Sequence, residues 1–318
     1  MKIKGSILLL GASGLVGSAV YRKLLEYGVP ASKIDAPTSK QLNLLTMEGA
    51  SDYNKVYDYV INCAGRVGGI LANSNEKYSF IHDNILMQMN VMKLVEHSAD
   101  WDRMKKYVFL GSSCVYPNDH NDPIKETSLM TGPLEPTNEA YSVAKIAGIK
   151  LGQAFFQNAT HKFSAIMPCN VYGPHDRYDA GSHVIADMIQ KFSRSDVDTV
   201  PLYGDGEPLR EFIYSDDLAE AIIMIATYDG SQDVSMINVG SDFEISIRDL
   251  AFKIRELTSP SSRIVFDAAF PNGTMRKKLD TTKMEEIFGW KAKTNLDEGL
   301  TKSIDWYRWS QFSEDILK

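Results

Sequence analysis

Short apolar or β-branched runs alternate along this chain with longer stretches whose apolar residues recur at helical spacing. The alternation predicts strands over Ser6 to Leu10, Lys33 to Ala36, Asp58 to Cys63, Lys106 to Leu110 and Phe163 to Met167. It predicts helices over Leu15 to Tyr27, Ser79 to Ser98 and Glu139 to Asn158. Strand and helix in turn are the pattern of a parallel sheet wrapped by helices. After Pro174 the rhythm breaks, and residues 176–182 and 195–208 are polar and turn-rich, which marks a second, smaller lobe. Asp216 to Ala226, with an apolar helical face, and Met236 to Val239 resume the first pattern. The expected fold class is α/β: a doubly wound parallel sheet formed by residues 1–173 and about 212–240, with a smaller C-terminal α/β lobe formed by about 174–211 and 241–318.

The run from Gly11 to Gly17, Gly-Ala-Ser-Gly-Leu-Val-Gly, follows the first strand and opens the first helix. Glycine permits a tight turn and lets backbone approach a pyrophosphate, while the helix N-terminus offers free N–H groups and a favourable dipole to the negative charge. A dinucleotide site is therefore expected at Gly11, Ser13, Gly14, Leu15, Val16 and Gly17. Beyond the second strand the reading stays open. Asp35 could take a ribose diol, or Thr38, Ser39 and Lys40 could cradle a 2′-phosphate.

Composition narrows the partners. At 318 residues, the chain is long enough for one large lobe and a lesser one. A net charge of -7 without any Lys/Arg cluster argues against nucleic acid or a membrane surface as partner, because both require a positive face. The apolar run Ile7 to Leu10 is too short for a signal peptide and leads directly into glycines, and no stretch approaches the ~18 apolar residues of a membrane span. Cys63, Cys114 and Cys169 have neither disulfide nor metal spacing. No metal is expected, and a reducing cytoplasm is the default.

Tyr141 and Lys145 lie four residues apart in a predicted helix and so share a face. A phenol has a pKa near ~10, and an adjacent ammonium favours the phenolate, which would make Tyr141 a proton donor and acceptor near neutrality. Ser112 follows the strand ending at Leu110, on the sheet edge where open α/β sheets bind ligands, and can hold a carbonyl oxygen beside the tyrosine. Ser113 reads as a turn former, and His175, after Gly-Pro, as a turn residue.

The glycine run with Ser112, Tyr141 and Lys145 resembles the serine, tyrosine and lysine triad of the extended short-chain dehydrogenase/reductases. Longer strings are similar to one branch of that family, the GDP-L-fucose synthases. They include residues 67–70, 111–117, 134–139, 144–150, 172–176, 182–185 and 210–212, and the similarity runs from the first strand to about Trp290. The resemblance implies a Rossmann-type fold and a bifunctional reaction: inversion of C3 and C5 of GDP-4-keto-6-deoxy-D-mannose, then reduction of C4 with NADPH. It assigns acid/base work at C3 and C5 to Cys114 and His183. Tyr141 becomes the proton donor to the C4 oxygen, Lys145 the holder of the nicotinamide ribose, and Ser112 a hydrogen-bond partner of that oxygen. Further cofactor contacts are implied at Ser39, Lys40, Ala64, Leu110, Gly111, Pro168, Asn170, Val171 and His183. Nucleotide and sugar contacts are implied at Lys191, Tyr203, Arg210 and Asn272. Tyr203 and Asn272 stand where relatives often have tryptophan and aspartate. Ala36 to Ser39 stand where relatives often have arginines, so NADP(H) rests on the resemblance and NAD(H) stays open.

The resemblance also implies a homodimer, with Ser79 to Ser98 and Glu139 to Asn158 as pairing surfaces. Two competing readings remain. One is a C4-reductase or epimerase acting on a related GDP-sugar such as a GDP-6-deoxy-4-keto-heptose, with Cys114 and His183 idle. The other is a non-catalytic dinucleotide sensor, which would be expected to lose Tyr141 or Lys145.

Overall fold

The computed structural model describes residues 3–98, 101–119, 123–179, 181–194, 198–259, 261–270 and 272–316; residue 180 and the start of the polar stretch 195–208 lie outside them. The first half runs β1 (Ile7–Leu10), α1 (Leu15–Glu26), β2 (Ile34–Asp35), β3 (Tyr59–Asn62), α2 (Ile70–Asn75), α3 (Lys77–His97), β4 (Lys106–Leu110), α4 (Glu139–Phe155), β5 (Phe163–Pro168) and β6 (Asn170–Tyr172). The second runs α5 (Val184–Phe192), β7 (Thr199–Tyr203), β8 (Leu209–Tyr214), α6 (Ser215–Ala226), β9 (Met236–Val239), β10 (Glu244–Ser246), α7 (Ile247–Thr258), β11 (Arg263–Asp267), β12 (Arg276–Lys277), α8 (Thr282–Phe288) and α9 (Leu296–Ile316).

Six strands form one sheet in the order β2-β1-β3-β4-β5-β9, every pair parallel. Strands buried on both faces read as near-continuous apolar runs, and β1 is Ile-Leu-Leu-Leu with all four residues buried. Helix α1 packs on α6 and α3 on α4, giving two helical layers around the sheet. The strand order reverses between β1 and β3, and at such a switch point successive crossovers leave to opposite faces and open a crevice at the strands' C-terminal ends. Strand β2 is shorter than the pattern predicts. Lys33 belongs to a preceding 3-10 turn, and Pro37 has no N–H to extend the pairing.

After Cys169 the chain steps from β5 straight into β6, which pairs with β8 in a second sheet. There β8 lies between antiparallel β10 and parallel β12, and β7 pairs with β11 nearby. Helices α5, α7 and α9 close this lobe around Ile185, Ile189, Phe192, Leu250, Ile254 and Leu300. Each such side chain contributes roughly 1.5–3 kcal/mol on burial. Chain order and packing diverge in three places. β6 lies in the small sheet although residues up to 173 were expected in the large lobe, all of β8 lies there although a boundary near 212 was expected, and Leu279, Met284 and Trp290, from a stretch expected in the small lobe, join the large core. Among the described residues, no helix is long and apolar enough to cross a membrane.

Glu211 joins these pieces. It is 0% exposed, and its carboxylate accepts from the backbone N–H groups of Ser241 (2.8 Å), Asp242 (2.9 Å) and Leu279 (3.1 Å). It thereby ties β8 to the turn after β9 and to the segment entering α8. Removing the side chain strands buried donors, so Glu211→Ala should lower the unfolding free energy by about 3 kcal/mol or more, and Glu211→Gln by less. Urea denaturation followed by circular dichroism measures both.

Candidate active site

The C-terminal ends of β1, β3, β4 and β5 open into a cavity of about 670 Å³ whose far wall comes from the second lobe. That size is ordinary for a small-molecule site. At its rim, Gly11 turns with φ +77, and a Cβ on Gly17 would lie 2.1 Å from the Gly11 carbonyl oxygen, so both positions require glycine. Gly14 precedes the first turn of α1, and with Ser13, Leu15, Val16 and Gly17 it lines the cavity, presenting the helix N-terminus to it. Ser39, Ala64, Leu110, Gly111, Pro168, Asn170 and Val171 line it as well. Lys40 is exposed and does not. Asp35 is engaged elsewhere, accepting from Tyr57 Oη at 2.7 Å and pairing with Lys55 Nζ at 2.7 Å.

Ser112 caps a short 3-10 turn, Ser113–Val115, by accepting from the Cys114 N–H, and this swings Cys114 onto the cavity wall. Opposite, α4 sets Tyr141 beside Ser112 on the cavity. Lys145 lies beneath the wall, buried, with Nζ donating to the Leu110 carbonyl at 2.7 Å and standing 5.8 Å from the Tyr141 ring centroid. Burial lowers its pKa to about 8. The phenol departs from the expectation of an acidified tyrosine. Burial, reinforced by nearby Cys114, raises Tyr141 well above the ordinary value, and the Ser112 bond offsets only part of this. Tyr141 is thus held protonated, the form a proton donor needs.

Cys114 Sγ receives Asn138 Nδ2 at 3.6 Å and has Lys277 Nζ at 3.9 Å. His183 lines the same cavity at the start of α5, its Nδ1–H directed at Asp176 Oδ1, 3.3 Å away. Burial disfavours the charged ring, but the bond to Asp176 and its negative charge prevail, so the pKa of His183 is raised. From the second lobe, Arg210, Tyr203 and Asn272 line the cavity. Arg210 donates to the Leu209 carbonyl at 2.8 Å, and burial lowers its pKa to about 10. Asn272 is fixed by Asp205, and Tyr203 stacks on Phe270 with centroids 4.1 Å apart. Lys191 is not on the wall; Asp187, which is, draws it into an ion pair at 2.7 Å, and its Nζ lies 4.8 Å from the Tyr203 centroid.

The structure thus brings Ser112, Cys114, Tyr141, His183, Tyr203, Arg210 and Asn272 onto one cavity, with Lys145 behind Tyr141 and with Lys40 and Lys191 off the wall. Sequence reasoning missed Asn138 and Lys277. Asn138 lies one turn before Ser142, whose hydroxyl bonds both the Asn138 side chain and the Cys114 carbonyl, and that spacing could have flagged it. Lys277 comes from β12, 163 residues beyond Cys114, and no local pattern marks it. Cys63 also lines the cavity, but burial pushes its thiol up to about 12. His175 packs on Trp306 with centroids 4.8 Å apart.

A parallel sheet with a glycine turn at its switch point and a serine, tyrosine and lysine group at the end of β4 defines a dinucleotide-dependent enzyme. The chain belongs to the NAD dependent epimerase/dehydratase family, whose sequence model matches residues 7–240. It is 40% identical to the probable GDP-L-fucose synthase 1 of Oryza sativa subsp. japonica over 311 residues, covering 95% of this chain and 92% of that one. It is 36% identical to the GDP-L-fucose synthase of Escherichia coli strain K12, covering 96% and 97%. Among solved structures, the GDP-mannoheptose C4 reductase of Campylobacter jejuni with NADP bound superposes with a TM-score of 0.82 at 27% identity, covering 97% and 99%.

The glycine turn can be tested by itself. Gly17→Ala forces a methyl group against the Gly11 carbonyl and displaces the first turn of α1. Affinity for NADPH, followed by fluorescence titration, should fall at least about tenfold, equivalent to ~1.4 kcal/mol.

Proposed function

We propose that this protein inverts C3 and C5 of GDP-4-keto-6-deoxy-D-mannose and reduces C4 with NADPH, forming GDP-L-fucose. The observation that carries this reading is the convergence on one cavity of Cys114 and His183 with Ser112 and Tyr141, in a chain 40% identical to a relative so named. The residues fit a nicotinamide dinucleotide, because the cradle at Gly11 and Gly17 excludes any side chain and faces a helix N-terminus. The Gly11 to Gly17 turn would hold the pyrophosphate, Lys145 the nicotinamide ribose, and Ser39 the adenosine end. When bound, NADPH supplies the hydride for C4.

The C4 carbonyl acidifies the protons at C3 and C5. Cys114 takes a proton from carbon, the electron pair moves onto the C4 oxygen, and His183 returns a proton to the opposite face of the ring. Ser112 and Tyr141 donate hydrogen bonds to the oxygen as it gains charge. Lys277 and Asn138 place positive charge and a donor beside the sulfur while it works. In the reduction, Tyr141, held protonated by burial, passes its proton to the C4 oxygen. Arg210, on the second lobe's wall, meets the substrate's diphosphate, and Tyr203 and Asn272 meet the nucleoside and sugar. A second reading, C4 reduction of a GDP-6-deoxy-4-keto-heptose, draws on the superposition with the mannoheptose reductase.

One incubation in deuterated water with NADPH and GDP-4-keto-6-deoxy-mannose, read by NMR, separates these readings. The wild type should yield GDP-L-fucose carrying solvent deuterium at C3 and C5; a reduced product without deuterium, or no turnover of the hexose alongside turnover of the heptose, rejects the proposal. Tyr141→Phe should slow reduction by roughly 10²–10⁴-fold, a greater loss than in exchange, whereas Cys114→Ala should lose exchange.

The chain is further proposed to form a homodimer through α3 and α4, where Tyr78, Met89 and Val143 are 75%, 48% and 39% exposed. Light scattering should return twice the chain mass; a monomer mass rejects the pairing.

A further inference from the structure

Asp176 is an acid with no assigned work in an unusual setting. Its side chain is only 4% exposed. One oxygen, Oδ1, accepts from the Arg177 N–H at 2.8 Å and from His183 Nδ1 at 3.3 Å, while Oδ2 is fully buried without a hydrogen-bond partner. A carboxylate so placed is costly unless a positive charge is at hand to offset it. The cation able to do so through a direct bond is the His183 imidazolium. The turn that holds Asp176 is itself rigid: Gly173 and His175 both adopt positive φ, Tyr178 Oη donates to the Gly173 carbonyl at 3.0 Å, and its ring packs on Trp306.

We infer that Asp176 is the positioning residue of an Asp176–His183 dyad that fixes which nitrogen of His183 delivers the proton in the epimerisation. This rests on the role given to His183 above. A carboxylate can only accept, so Nδ1 keeps its hydrogen in both protonation states. The titrating nitrogen is then Nε2, the one turned away from Asp176. The imidazolium gives its Nε2 proton to the sugar carbon as the enolate electron pair forms the new C–H bond, and it is left as the neutral Nδ1–H tautomer, still bonded to Asp176. The proton that Cys114 removed leaves to solvent and Nε2 is reprotonated from solvent, so proton and charge balance over the cycle.

The other charges facing His183 do not replace Asp176. On the same turn, Arg177 disfavours the cation and Asp179 favours it weakly, and these two pair with each other at 2.7 Å. On α5, Asp187 is paired with Lys191. Cys114 lines the same cavity.

His183 acts while protonated, so inversion at C3 and C5 falls as pH rises through its pKa, which Asp176 raises. Asp176→Asn removes the charge and lets the ring lose its proton earlier, so the alkaline limb of the inversion rate should move to lower pH. The maximal inversion rate should also fall at least about tenfold, chiefly in kcat rather than KM. Asp176→Glu, which keeps the charge, should restore part of both. In the wild type, ¹⁵N NMR should show neutral His183 as the Nδ1–H tautomer, a measurement that needs no variant. Finding the Nε2–H tautomer, or an unmoved limb in folded Asp176→Asn while His183→Asn abolishes inversion, overturns the dyad and leaves the role of His183 standing. Full inversion at C3 and C5 by His183→Asn instead removes the role of His183, and the dyad's with it.

Discussion

The bond from Lys145 Nζ to the Leu110 carbonyl, 2.7 Å long and out of water, holds the site together. It ties the middle of α4 to the last residue of β4, and so sets the distance between the side chains on the helix and the Ser112 to Cys114 turn beyond the strand. Ser142 adds a second tie from the same helix to the Cys114 carbonyl at 2.8 Å. With both in place, Tyr141 stands by Ser112 and Asn138 meets Cys114, so the groups proposed for proton transfer at oxygen and at carbon share one frame. An ammonium buried this way needs its acceptor, since an unpaired charge in the interior costs several kcal/mol or more.

Burial then sets the protonation states. The same desolvation that lowers Lys145 to about 8 lifts Tyr141, so the pair is not an ammonium stabilising a phenolate but a neutral phenol backed by a lysine of reduced basicity. Reduction of a ketone consumes a proton at oxygen, and a phenol kept protonated is the suitable source. His183 shows the opposite balance, because a buried carboxylate beside it outweighs desolvation. Three groups at or just behind one cavity are thereby tuned by loss of water and by local charge.

The cavity exists because two lobes meet across it. The chain leaves the large sheet at Cys169, builds the small sheet around β8, and returns through α6 and β9, while Leu279, Met284 and Trp290 fold back onto the large core. Glu211 and Asn238, both 0% exposed, hold these passages together. Asn238 donates to the Ile124 and Asp280 carbonyls at 2.8 and 3.1 Å and accepts from Tyr116 Oη at 2.6 Å. Arg210 immediately precedes Glu211, so the residue facing the substrate space and the residue anchoring the lobe are set by one strand.

By itself the sequence determined what depends on neighbours along the chain. The apolar runs marked β1, β3, β4 and β5 to within a residue or two, since a strand buried on both faces is mostly apolar. The glycine turn, and Tyr141 with Lys145 one helical turn apart, were legible for the same reason, because backbone geometry alone fixes such spacings. Tertiary structure decided what depends on distance in space. It drew Asp35 to Tyr57 and Lys55, took Lys191 to Asp187, brought Lys277 to Cys114 across 163 residues, and set Asp176 against His183. It also reversed the expected acidity of Tyr141. Desolvation and charge pairing act over a few ångströms between groups far apart in the chain, and nothing in the local order of residues encodes which of them will be neighbours or how much water will remain between them.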